Sequence, residues 1–437
     1  MALLCLCAGL GSAQAQSVFV PPPQYPATPS GMQQYETNQM QVFTPADTSP
    51  NYPSAGVEDQ PFRWNFLTFR PHVFYTFLYG NGIESSPGQQ HNSIVQQLAP
   101  GMLIDLGDYW TLDYTPTLTF YSDKNFRNTL DHAVQVNGGF AYRDWVFGLS
   151  QGYTSSSDPS VEIGGQTGDQ TYNTALNASW QLNSKLSLLL GANQNLNYIG
   201  NVNGSTNFAS NLTDSRTWST MDWLDYQFWP RLTGGLGVGV SYINVSAGTD
   251  SLNEQYEGQI NWRATDKISF QLSGGLEDQQ YLNSGSSDLL TPIFNASIQW
   301  QPFEQTRLTL AASRTVSQTY FENQTTENTG VSADLNQRLL GKLYLDLSGG
   351  YTKTKYVSSA SFGEIGFGTG RSDGYYSFNA RLTCPFLKRG TLAVFYQYSD
   401  NSSTQTGFLQ YYQTVFTAEN AYAYTSHQIG VQIGYQF

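Results

Sequence analysis

The feature that most constrains this chain is a period of two that runs for ten residues or more and then recurs. In residues 109–123, YWTLDYTPTLTFYSD, one face carries Trp110, Leu112, Tyr114, Pro116, Leu118 and Phe120, and the other Thr111, Asp113, Thr115, Thr117 and Thr119. Alternation of this kind defines a strand with one apolar and one polar face. It returns with Leu130, Val134, Val136, Phe140 and Tyr142, and again with Tyr172, Leu176, Ala178, Trp180 and Leu182. It continues through KLSLLLGANQNLNYIG, TGGLGVGVSYI, INWRATDKISFQLSG, LLTPIFNASIQW and YYSFNARLTC. No helical period competes after residue 62.

Short connections join these stretches in pairs, at Gly107-Asp108, Asp144, Asn183-Ser184, Trp229-Pro230, Thr265-Asp266, Gln301-Pro302, Leu340-Gly341 and Pro385–Gly390. Long polar segments separate the pairs. About 18 strands result, an even number with both ends on the short-turn side, as in bacterial transmembrane barrels. Soluble sandwich strands average about five or six residues, whereas these run to about a dozen, close to the nine to eleven that cross a membrane. Trp110, Trp145, Trp180, Trp229, Trp262 and Trp300 lie beside proposed short turns, where an amphipathic indole suits a membrane interface. The reading is all-β: a transmembrane antiparallel up-and-down β-barrel with short periplasmic turns and long extracellular loops.

Composition agrees. Only 12% of the 437 residues are charged while 14% are aromatic, which is too aromatic for a disordered chain. A net charge of -13 excludes the basic face that nucleic acid requires. It favours cations if ions pass. Residues 1–15 read as a signal peptide, with an apolar Leu3–Leu10 core and the small-x-small site Ala13-Gln14-Ala15. Its removal leaves Cys384 without an intrachain disulfide partner. Residues 16–62, rich in Pro and Gln, read as a periplasmic leader, and 63–437 as the barrel.

On this phasing the wall facing the lumen is neutral amide and hydroxyl with scattered charges of both signs: Asp113, Arg143, Lys185, Glu257, Arg263, Glu277, Arg307, Asp334, Arg338, Asp346 and Arg381. Such a wall suits small polar solutes. The same charges serve equally well as ion pairs stiffening the wall or as contacts to a plug. The Asp250–Glu254 stretch reads as a solvated loop, with a cation contact as the alternative. The four histidines lack zinc-ligand spacing. In Asp131-His132 and Ser426-His427, neighbours on a strand point to opposite faces, so neither pair forms a catalytic site. No enzyme activity, cofactor or metal is expected.

The last strand, GVQIGYQF, places Val431, Ile433, Tyr435 and Phe437 on one face. This pattern resembles the C-terminal signal read by the outer-membrane barrel-assembly machinery. With the signal peptide, amphipathic strands and alternating connections, the chain resembles Gram-negative outer-membrane β-barrel proteins. Over residues 63–437, with faces such as Tyr114-Thr115-Pro116, it resembles the β-barrel porins of the second type. The resemblance implies a place in the bacterial outer membrane among lipid and lipopolysaccharide, and passive diffusion of small hydrophilic solutes. It also implies a constriction loop, for which 154–170, with Asp158, Glu162 and Asp169, is the nearest match. A barrel plugged by its loops or by residues 16–62, acting as an adhesin, export partner or structural platform, is the alternative reading. The sequence leaves the oligomeric state open.

Overall fold

The computed structural model describes residues 62–86, 89–160, 165–200, 212–282, 284, 287–319, 323–358, 370–404 and 422–437. The expected signal peptide and nearly all of the expected leader lie outside the described residues. In chain order the strands are β1 (Phe62–Trp64), β2 (Leu67–Ser86), β3 (Gln89–Leu106), β4 (Trp110–Tyr121), β5 (Thr129–Tyr142), β6 (Trp145–Ser156), β7 (Pro159–Ser160), β8 (Gly165–Gln166), β9 (Asp169–Gln181), β10 (Leu186–Ile199), β11 (Ser215–Trp229), β12 (Leu232–Val245), β13 (Ser251–Arg263), β14 (Ile268–Tyr281), β15 (Leu289–Phe303), β16 (Thr306–Gln318), β17 (Gln324–Leu339), β18 (Leu343–Ser358), β19 (Ser372–Phe386), β20 (Gly390–Ser403) and β21 (Tyr424–Gln436). β2–β6 and β9–β21 form one closed antiparallel barrel of 18 strands. Each pairs with the next in sequence, and β2 closes the ring on β21. β1 extends β2 by a three-residue pairing, and β7 pairs with β8 apart from the barrel.

The tight turns fall where the sequence places them, with two shifts. β11 runs through Trp229, so its turn is Pro230-Arg231. β15 runs through Pro302 to Phe303, so its turn is Glu304-Gln305, after an irregular register between Trp300 and Phe303. Leu340 and Gly341 both have positive φ, 48° and 72°, the backbone of a two-residue turn that follows strand twist.

Burial is inverted relative to a soluble protein. Large apolar side chains point outward and are exposed, among them Leu236, Leu224, Val238 and Phe140, while buried polar side chains outnumber buried apolar ones among the described residues. Hydrocarbon outside and polar contacts inside account for both. Cross-strand aromatic pairs form two outer belts. Trp145 stacks on Trp180 at 5.1 Å near the short turns. Tyr153–Tyr172 at 4.7 Å, Trp218–Tyr242 at 6.0 Å and Tyr351–Tyr376 at 4.6 Å lie toward the loops.

Two glycine stripes let large side chains lie flat on the inner wall. On β12, Gly235, Gly237 and Gly239 stand opposite Asp225, Trp223 and Met221. A Cβ on Gly237 would meet the Trp223 ring at 2.7 Å. On β21, Gly430 lies under Phe395 and Gly434 under Phe74, with a Cβ meeting those rings at 2.4 and 2.7 Å. Gly237→Val should therefore destabilise the barrel by about 1–3 kcal/mol through overpacking, lowering the heating temperature at which its gel mobility shifts. Gly148→Ala, where a Cβ meets nothing within 4 Å, should not lower it.

Candidate functional site

The candidate site is the lumen, whose character changes with height. Toward the short turns the inner wall of β5–β19 is half-exposed, with Gln135, Asn137, Asn177, Gln255, Gln259, Asn295, Asn336 and Ser348 presenting amides and hydroxyls. Toward the loops the inward side chains are buried, as at Asn253, Gln279, Ser317, Asn328, Thr354, Asn401 and Gln428.

The described residues at the loop end of the β16–β17 hairpin contribute to this burial. Gln318 Nε2 donates to Ser251 Oγ at 3.4 Å, Thr249 Oγ1 to Asn323 Oδ1 at 3.1 Å and Tyr281 OH to Thr325 Oγ1 at 3.5 Å. The hairpin thus leans past β15 onto the inner faces of β12–β14. There it encloses a water-sized cavity with Ile243, Asn253, Gln255, Glu277 and Gln279.

The expected constriction loop also packs back toward the wall. β7 and β8 lie beside β2, Gln166 exchanges two hydrogen bonds with the Arg127 backbone at 2.9 and 3.0 Å, and Asp158 accepts from Tyr121 OH at 3.2 Å. Asp169 belongs to β9. Glu162 lies outside the described residues. On β2, β3 and β20, inward Leu78, Val95 and Phe395 form an apolar cluster with Ile83 and Phe126.

The expected lumen charges divide by position. Glu257 and Asp334 stand on inward positions of β13 and β17 and are half-exposed. Glu277 accepts Asn253 Nδ2 and Gln255 Nε2, each at 2.9 Å. Asp346 accepts Asn336 Nδ2 at 3.0 Å and stands opposite Arg381 in register. Arg381 reaches past Ala393 to donate to Gln432 Oε1 at 2.7 Å, and Gln432 in turn donates to Thr76 at 3.1 Å. Asp113 accepts from Thr115 at 3.1 Å.

Arg263 and Arg307 are inward but lie at the short-turn ends of their strands, and Arg338 folds onto the Gly341 carbonyl at 2.6 and 2.9 Å. Arg143 and Lys185 leave the wall altogether. Arg143 occupies a positive-φ turn position beside Tyr142, and Lys185 sits in the β9–β10 turn over the ring of Tyr226. Turn residues have no wall face, so alternation does not apply to them. Asp250 accepts Tyr242 OH, Asn244 Nδ2 and Val245 N at 3.0–3.1 Å. It closes the β12–β13 turn rather than lying free in solvent.

Sequence reasoning missed several inward groups. Asp225 accepts from Gln259 at 2.6 Å, and Arg70 pairs with Asp105 at 2.9 Å. Arg371, at the extracellular end, is buried between the rings of Tyr356 and Tyr422, at 4.4 and 3.5 Å, and is bidentate to Asp373. No periodic signal marks Arg371, because it precedes its strand. The histidines are occupied separately: His91 with Asp123 at 3.2 Å, His132 with Tyr114 at 3.1 Å and His427 with Tyr396 at 2.9 Å.

These observations define a transmembrane antiparallel β-barrel with a polar interior. Residues 246–421 match the family model described as "Putative beta-barrel porin 2". Among solved structures, the chain is similar to OccAB3 of Acinetobacter baumannii, with 9% identity and a TM-score of 0.45, covering 84% of this chain and 99% of that one. It is similar to OpdO of Pseudomonas aeruginosa, with 12% identity and a TM-score of 0.43 over 84% and 97% of the two chains. It is also similar to OccK11 (OpdR) of Pseudomonas aeruginosa, with 14% identity and a TM-score of 0.42 over 87% and 98%. No curated protein matches the sequence.

Arg371→Ala would strand the buried Asp373 carboxylate, a loss of about 3–5 kcal/mol for an uncompensated buried charge. The urea midpoint of folded protein should fall accordingly, and adding Asp373→Asn should recover part of it.

Proposed function

We propose that the barrel is a passive channel for small hydrophilic solutes with a weak preference for cations. The observation that carries this reading is the half-exposed inner wall of amides and hydroxyls across β5–β19. It lies inside a closed ring of 18 strands, a size at which barrels begin to hold aqueous channels. Neutral hydrogen-bonding groups replace part of a sugar-like solute's hydration without binding it tightly. The cation preference rests on the half-exposed inward carboxylates Asp113, Glu257 and Asp334, with Asp346 set against Arg381. Arg70 is paired, Arg338 is held by its turn, and Arg263 and Arg307 stand at the periplasmic mouth.

In planar bilayers the purified protein should conduct, and in a potassium chloride gradient its reversal potential should have the sign of cation selectivity. Glu257→Gln with Asp334→Asn should move that potential toward zero. A folded protein that inserts without conducting would overturn the channel reading.

The plugged platform remains the second reading because the extracellular part of the inner wall is buried and Gln318, at the loop end of β16, bonds Ser251 on β13. It predicts insertion without conductance.

We also propose that the lipid-facing side chains Val431, Ile433, Tyr435 and Phe437 at the end of the chain's last strand are the assembly signal. Val431 and Ile433 are exposed on the lipid face, Phe437 packs its ring 4.9 Å from Tyr435, and its amide donates to the Pro71 carbonyl at 2.9 Å. Deleting Phe437 should sharply reduce the amount of folded barrel recovered from membranes. The single-channel conductance of the inserted fraction should stay the same.

A further inference from the structure

The hydrogen-bond ladder is interrupted between β3 and β4 in the middle of the wall; the β15–β16 ladder also stops, toward the loops, beyond Phe294–Arg314. Between β3 and β4, Leu98 pairs with Leu118 and Met102 with Tyr114, but no pairing joins 99–101 to 115–117. The register is the same on both sides of the gap, so Pro100 stands opposite Pro116. Neither imide nitrogen has a hydrogen to donate. In an antiparallel pair, opposed residues alternate between exchanging two bonds and exchanging none. Three successive pairings are missing, which identifies Pro100 and Pro116 as a position that would have exchanged two. Pro71 on β2 lies alongside, opposite Met102. All three rings are on the outer face, level with the exposed Leu98 and Tyr114. A wall in hydrocarbon has no water to satisfy the carbonyls left over, and proline is otherwise confined to sheet edges and bulges.

Polar side chains gather on both faces of this gap. Inside, Thr115 Oγ1 donates to Asp113 Oδ1 at 3.1 Å and lies 3.1 Å from His72 Nε2. The hydroxyl has one hydrogen, so His72 Nε2 is the donor to it. The link passes directly over β3 at Gly101, where a Cβ would stand 2.1 Å from His72 Nε2 and 2.5 Å from Thr115 Oγ1. Side chains of β2 and β4 therefore clip the wall together across the strand whose ladder has failed. Outside, His132 stands opposite Pro116, and its Nδ1 is 3.1 Å from Tyr114 OH.

We propose that the wall opens at this seam and that the opening is a lateral route between lumen and membrane for single-chain amphiphiles. A wholly polar solute gains nothing by leaving the lumen at mid-membrane depth, and a wholly apolar one gains nothing by entering it. A polar head on one alkyl chain fits both sides. The head passes from Asp113, Thr115 and His72 to His132 and Tyr114, while the chain lies in lipid along the proline rings. The proposal rests on the channel reading for the water-filled lumen, and its test separates the two.

Ala99 and Thr117 are opposed in the gap on the lumen face, at a position with no ladder bonds, where strands approach closely enough for a disulfide. Ala99→Cys with Thr117→Cys, in a Cys384→Ser background, gives a seam that oxidation locks. Proteoliposomes carrying fluorescent lysophosphatidylcholine in the outer leaflet should transfer it inward several-fold faster than protein-free liposomes when the protein is reduced. Transfer should fall to the protein-free rate when it is oxidised, with potassium conductance equal in both states. Equal transfer in the two states overturns the lateral route. Absence of conductance in both overturns the channel reading, while transfer still judges the seam.

Hydrogen exchange on the unaltered protein in micelles needs no variant. The amides of 99, 101–103, 113–115 and 117–119 should exchange at least tenfold faster than those of 255–259 and 272–276. Equal protection overturns the proposal.

Discussion

Everything in this molecule follows from the requirement that no backbone donor or acceptor be left unpaired in hydrocarbon. A strand alone cannot meet it, and an open sheet leaves two edges that do not. The pairing of β2 with β21, from His72–Gln436 to Asn81–His427, removes the last edge. Once the ring is closed, each side chain has only two destinations, lipid or lumen, and the alternating composition follows.

The same requirement makes the interior unusual. Amides, hydroxyls and carboxylates do the packing that leucine and valine do elsewhere, as in the run from Asp346 and Arg381 through Gln432 to Thr76. Polar groups tolerate water, so such a wall can be half-wet near the periplasm and densely bonded near the loops without changing its chemistry. That gradient lets one barrel carry a half-exposed polar wall toward its short turns and a buried polar one toward its loops. It also makes the Pro100–Pro116 gap conspicuous, since there the ladder is interrupted with paired strand on both sides.

Much of the fold was legible because strands in two solvents leave a plain mark. Trp110 to Phe120 and Val431 to Phe437 announce their lipid face by alternation alone. β11 was not legible. Its sequence, SRTWSTMDWLDYQFW, carries tryptophan on both faces, Trp218 outward and Trp223 inward. Trp223 can turn inward only because Gly237 on the next strand leaves room for its ring. No pattern within β11 contains that information. The lumen charges show the same limit: alternation places Glu257 and Asp334 on the wall, but cannot tell that Arg143 and Lys185 fall in turns.

The sequence by itself determined the all-β class, the span and number of the strands, and which face of most of them meets lipid, because these depend on neighbours two residues apart. Only the tertiary structure decided what the lumen does with its side chains. Gln318 meets Ser251, His72 meets Thr115 over Gly101, and Pro100 faces Pro116, each through a register or a fold-back joining residues distant in the chain. Periodicity is local and survives in one strand, whereas opposition across a barrel is set by closure of the whole ring.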